Sequence, residues 1–170
     1  MKIKTEPLDI LIKSAGFYTG YGVNHEDQQF KGLLEITPVV NNNGVHIKYR
    51  ATGLQDENQK IEHVNLYNRE MQLLNEEDTI IAFNNNNKLC LWTLNINVPK
   101  VCVFDLRRYR RIADSKSILI FGFGDKKDEE HFREEITIEI WDSGSIGYNY
   151  YWGKPGGNFL ARSSIIMRKL

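Results

Sequence analysis

The chain has 170 residues, two cysteines, and 22 basic against 22 acidic side chains, so its formal net charge is zero. This neutrality supplies no long-range field toward nucleic acid or acidic lipid, and the length suits one domain that buries a core without metal or disulfide staples. No run approaches the roughly 20 apolar residues of a membrane-spanning helix, and Met1–Pro7 carries an early acid and no long apolar region, which predicts no signal peptide and a cytoplasmic location.

Thr5-Glu6-Pro7 ahead of Leu8, Leu11 and Ile12 combines a capping hydroxyl, an early acid, a first-turn proline and i, i+3, i+4 apolar spacing. It predicts a short helix of about two turns within residues 1–15 that covers a barrel end or sheet edge. From Gly16 onward the period changes from helical to two. Candidate strands follow at Gly16–Val23, Phe30–Val40, Val45–Gly53, Lys60–Asn68, Glu70–Leu74, Asp78–Asn84, Lys88–Asn97, Val101–Arg111, Ser117–Gly124, Phe132–Asp142, Ser145–Lys154 and Phe159–Lys169. Glu70–Leu74 reads as a continuation of its predecessor through a bulge. Turn residues separate the strands: Asn41–Gly44, Asn84–Asn87 with a two-residue turn at Asn85-Asn86, Val98-Pro99-Lys100, Asp125–Glu130 and Lys154–Gly157.

Roughly ten strands with short connections and no helices between them exclude a parallel α/β sheet. They predict an all-β, antiparallel up-and-down barrel over residues 16–170, because closure removes unpaired edges; a two-sheet sandwich is the competitor. The last third is the clearest. Asp142-Ser143-Gly144 suits a type I turn followed by a left-handed glycine, pairing Ile140 with Ile146, Ile138 with Tyr148 and Ile136 with Tyr150. A turn at Pro155-Gly156 pairs Trp152 with Phe159, Tyr150 with Ala161 and Tyr148 with Ser163, and directs Arg162 outward. Segments Lys88–Ile96 and Ile118–Phe123 are apolar on both faces, so a helix or a second subunit is expected to cover them.

Gly16-Phe17-Tyr18-Thr19-Gly20-Tyr21-Gly22, then Tyr49–Gly53, Leu89–Leu94, Ile120–Gly124 and Gly147–Gly153 with Phe159–Ser163, resemble the calycin superfamily. Within it the chain is most similar to small lipocalin-like bacterial domains of unknown function. The likeness runs from about Gly16 to Arg168 and rests on glycine-aromatic spacing, with Gly16-Phe17 and Gly20-Tyr21 where lipocalins carry Gly-X-Trp. It implies a barrel plugged at one end by a short helix. It also implies a small hydrophobic or amphipathic ligand inside. Fatty-acid-binding barrels of this superfamily hold a carboxylate with inward arginines and a tyrosine, for which Arg107, Arg108, Tyr109, Arg162 and Arg168 are the comparable residues. Some of its barrels bind haem through one histidine.

The residues put chemistry in few places. Tyr148, Tyr150 and Trp152, with Trp92, Ser163 and His63, are the candidate interior lining; the competing reading is a barrel packed solid with side chains. The histidines lack zinc-ligand spacing, so no metal is expected. Cys90 and Cys102 read as reduced and buried. Ser143 lies in a hairpin turn, with no following helix to make a nucleophile elbow. Glu76-Glu77 and Glu134-Glu135 are sequence neighbours that point to opposite faces of their strands, so neither pair shares a proton. The readings that stand are ligand binding without an identified catalytic residue, an isomerase, cyclase or hydratase on the same barrel, and an interaction module or homodimer with a solid core.

Overall fold

A computed structural model describes residues 6–54, 72–113 and 115–170. Glu6–Lys13 forms helix α1, and ten strands follow: β1 Gly16–Asn24, β2 Gln29–Val39, β3 Gly44–Gly53, β4 Leu73–Phe83 and β5 Leu89–Asn95 make the first half. β6 Val98–Ile112, β7 Lys116–Phe123, β8 Arg133–Trp141, β9 Ser145–Gly153 and β10 Leu160–Lys169 make the second. Each strand pairs antiparallel with its sequence neighbour, and β10 closes on β1 to complete a barrel. The predicted all-β meander is therefore the fold. The candidate strand Lys60–Asn68, and His63 within it, lies outside the described residues.

Alternation explains the core. Leu34, Ile36, Ile47, Ile81, Leu91, Phe104, Leu119, Ile138, Ile146 and Met167 point inward and are buried, while their strand neighbours face out. Helix α1 adds Leu8 and Leu11 to this core. It packs on β2 and β3, and is tied down where Tyr18 donates to the Ser14 carbonyl at 2.6 Å. It leaves the outer faces of β5 and β7 uncovered, against expectation. On β5, Leu91 and Thr93 take the inward positions, so Trp92 and Leu94 lie on the outer surface beside Ile80 and Val103. Trp92 is thereby corrected from interior lining to outer face. Both-faced apolarity gave no parity signal there.

The hairpins show where turn chemistry was read well and where it was not. β8 and β9 pair as predicted, and Gly144 takes φ 87° with its N–H donating to the Trp141 carbonyl at 2.9 Å. Between β4 and β5 the loop holds three residues instead of two. Asn87 takes the left-handed position, φ 57°, and the Asn84 side chain accepts from the N–H groups of Asn86 and Lys88. The β5–β6 turn is at Ile96-Asn97, and Val98 already belongs to β6. There the Asn95 side chain accepts from Asn97 and Val98.

The β9–β10 register is the correction that matters most. Leu160, not Phe159, pairs with Trp152; Ser163 pairs with Tyr150 and Ile165 with Tyr148, with a bulge between Ala161 and Ser163. Arg162 is the extra residue. A bulge re-aims side chains at a barrel rim, and this one turns Arg162 toward the barrel mouth. At Gly20 the sheet closes so tightly that a Cβ would lie 2.2 Å from the Ile166 carbonyl oxygen, which only glycine accommodates.

Candidate functional site

Strands β4 and β9 stand diametrically opposite in the ten-membered ring. Tyr148, inward on β9, spans that diameter and donates to Glu77 Oε1 on β4 at 2.7 Å. Thr79 Oγ1 lies 2.7 Å from the same oxygen and 2.8 Å from Thr93 Oγ1; the one Thr79 proton goes to the carboxylate and Thr93 donates to Thr79. Glu77 is 2% exposed, and its second oxygen has no partner among the described residues. Burial pushes its carboxyl above the ordinary range, against the Tyr148 and Thr79 hydroxyls that pull it down. Burial raises Tyr148 and Tyr49 as well, and the Glu77 charge adds to both.

This crossbar separates two regions. Toward α1 the interior is filled with aliphatic side chains, Leu8 and Leu11 of the helix among them. Toward the opposite end lies a cavity of about 410 Å³, whose walls include Phe30, Tyr49, Phe132, Tyr150, Trp152 and Ala51. A volume of this size lies in the range of small-molecule sites.

Three features give the cavity its chemistry. Tyr150 is 8% exposed and its hydroxyl has no partner among the described residues. Glu134, on the same inward face as Ile136 and Ile138, pairs across strands with Trp152 and lines the cavity while 7% exposed. Burial first, and the Glu77 charge second, push its carboxyl up to about 7. The rim is built around Trp152. The Arg162 guanidinium lies 3.9 Å from its ring centroid, Arg162 Nε donates to its carbonyl at 3.2 Å, and His25 meets its ring edge-on at 5.7 Å. His25 N–H donates to the Arg162 carbonyl at 2.7 Å, which fastens the β1–β2 turn to the bulge.

Just outside the rim Arg133 holds the neighbouring loops. Its guanidinium donates to the carbonyls of Lys126, His131, Lys154 and Gly157 at 2.7–3.4 Å. It passes over Gly153, where a Cβ would lie 2.9 Å from the guanidinium carbon.

Of the residues predicted to line the interior, Tyr150, Trp152 and Ser163 lie on the cavity, and Tyr148 is buried against two of its walls, Tyr49 and Tyr150. Trp92 is outside and His63 is not among the described residues. Arg162, predicted to face out, lines the mouth. The arginines of β6 are exposed, and Arg107 reaches back to the Gly124 carbonyl. Sequence reasoning missed Glu77, Glu134, Tyr49 and His25. Glu134 was readable, since it continues the parity of Ile136, Ile138 and Ile140. Among the described residues no group of three or more His, Cys, Asp or Glu side chains could hold a metal ion. The described lining offers one imidazole, His25 at the exposed rim. Cys90 and Cys102 are free thiols, and no helix among the described residues is long and apolar enough to cross a membrane.

The cavity, the crossbar and the closed meander define a single-helix, ten-stranded barrel with one filled end and one open end. No protein-family model matches the chain, and no curated protein does. In structure it is similar to Rv2717c from M. tuberculosis, whose crystal structure aligns over 97% of this chain and 98% of that one, with a TM-score of 0.70 and 9% identity. It is also similar to a de novo designed fluorescence-activating β-barrel over 92% of this chain and 93% of that one, with a TM-score of 0.42 and 10% identity. The likeness to Rv2717c is one of fold.

Proposed function

We propose that this protein is a calycin-like binding barrel that takes a small hydrophobic or amphipathic molecule into the cavity at its open end. The observation that carries this reading is the 410 Å³ cavity walled by Phe30, Phe132, Tyr150 and Trp152, into which the unpartnered Tyr150 hydroxyl is built. An aromatic wall with a few polar groups suits a flat ring or a short chain. Native mass spectrometry of the freshly purified protein tests it, together with titration of a fluorescent naphthyl alcohol. A retained or exchangeable ligand is expected, and Ser163→Trp, which plugs the cavity, should abolish binding. A protein that holds and exchanges no ligand overturns the reading.

One observation favours a second reading, catalysis on the same scaffold. The Glu134 carboxyl, pushed up to about 7 in a cavity beside a tyrosine hydroxyl, is placed for proton transfer. An enzyme of this kind would turn over a bound carbonyl or enol compound with a rate lost in Glu134→Gln; turnover unaffected by that substitution excludes it.

A further inference from the structure

We propose that the ligand is an apolar ring or chain carrying a protonated amine, seated with its nitrogen between the Glu134 carboxyl and the Tyr150 hydroxyl. This rests on the cavity being the binding site.

The argument starts from what the cavity lacks. Glu134 makes no hydrogen bond or ion pair with any described residue, although its side chain is almost wholly enclosed. Tyr150 sits one rung away on the same inward face, because Glu134 pairs with Trp152 and Ile136 with Tyr150; such diagonal neighbours lie about 7 Å apart or less, within reach of one small group. Its hydroxyl is equally unpartnered. Of the rim cations, Arg162 stacks on the Trp152 ring and donates Nε to its carbonyl, and Lys154 lies 5.6 Å from the same ring centroid; neither pairs with Glu134.

Each end group a ligand could present meets this site differently. A carboxylate would enter beside Glu134 and above Glu77, adding a third acid. A hydroxyl would serve Tyr150 and leave Glu134 without a charge partner. An ammonium has three donors and a charge, which satisfies Glu134 and Tyr150 together and leaves one N–H for the cavity-lining Asn75, whose Oδ1 has one other donor, Asn97 at 3.3 Å. Buried carboxylates are stable when paired and hydrogen-bonded.

Glu77 on β4 acts on Glu134, Tyr148 on β9 and Cys102 on β6 feel its charge, and Tyr49 on β3, Tyr150 on β9 and, at the rim, His25, Lys154 and Arg162 line the same cavity. With its carboxyl held near neutrality, Glu134 must lose its proton to receive an ammonium. Amine affinity therefore rises with pH, by about tenfold between about pH 6 and pH 8.

Calorimetric titration of the full chain with naphthylmethylamine, naphthylmethanol and naphthylacetate tests this. The amine is expected to bind at least about tenfold tighter than the alcohol, and the acetate weakest; Glu134→Gln should erase the amine's advantage while leaving alcohol binding intact. The wild-type pH series carries the same test without a variant, because alcohol affinity should stay flat. Equal or tighter binding of the alcohol or acetate, or equal pH slopes, overturns the amine proposal and leaves the cavity reading standing. Failure of all three to bind overturns both.

Discussion

The Tyr148 hydroxyl donates to Glu77 Oε1 at 2.7 Å from the opposite side of the barrel. This contact links two diametrically opposite strands of the ring, and the Tyr148 ring packs against two cavity walls, Tyr49 at 5.0 Å and Tyr150 at 5.5 Å.

Removing the crossbar donor should cost more than neutralising its acceptor. Tyr148→Phe leaves the buried Glu77 carboxyl one hydrogen bond short and is expected to destabilise by about 1–3 kcal/mol. Glu77→Gln keeps an acceptor for Tyr148 while removing a buried acid, and should be nearly neutral. Urea unfolding of both variants checks the order; a more damaging Glu77→Gln would mean that Glu77 acts as a charge and not as an acceptor.

Stability should fall as pH rises toward neutrality. Burial and the Glu77 charge push the Glu134 carboxyl up to about 7 in the folded chain, against about 4.3 for an exposed glutamate. Between those values the folded state holds a proton that the unfolded state has released, so unfolding becomes easier as pH rises through the window and levels off above it. The effect is of the order of 3 kcal/mol from Glu134, and the raised Glu77 carboxyl works in the same direction. Denaturant midpoints at about pH 5 and pH 8 should differ in wild type and converge in Glu134→Gln.

Arg133 should be irreplaceable by lysine. One guanidinium serves four carbonyls spread over two loops, and an ammonium cannot reproduce that planar fork. Arg133→Ala is expected to destabilise by about 2–4 kcal/mol, with Arg133→Lys recovering less than half. Hydrogen exchange should show faster exchange at Gly156, whose N–H donates to the Glu129 carbonyl at 2.8 Å.

Arg162→Ala should alter the mouth without harming the core. It removes the cation from the face of Trp152, at a stability cost of about 1 kcal/mol, and shifts Trp152 fluorescence. With Trp152→Phe as the control, an unchanged emission spectrum in Arg162→Ala would contradict the stacked arrangement.

The fold was legible because most strands alternate and most turns carry their own chemistry. Ile136, Ile138 and Ile140 facing Tyr150, Tyr148 and Ile146 was readable from a glycine at the one position needing positive φ. Three things were not readable. Leu160 and not Phe159 already meets Trp152, because the turn is one residue longer than a turn at Pro155-Gly156 allows, and the bulge at Arg162, with no signature of its own, adds a second residue. Trp92 sits in Leu89–Leu94, apolar on both faces, where parity is undetermined until Leu91 meets Ile81. The inward acid of β4 was hidden by its neighbour: Glu76 looks like Glu77 in sequence, and only the packed partners show which of the two goes in. The crossbar joins residues 71 positions apart, a relationship that exists only once the ring has closed.

The most direct test of the central claim is a crystal structure of the protein soaked with naphthylmethanol. The ring is expected inside the open end, against Phe132, Tyr150 and Trp152. A ring found instead on the outer face, over Leu94 and Ile96, or a cavity that admits none, would contradict it.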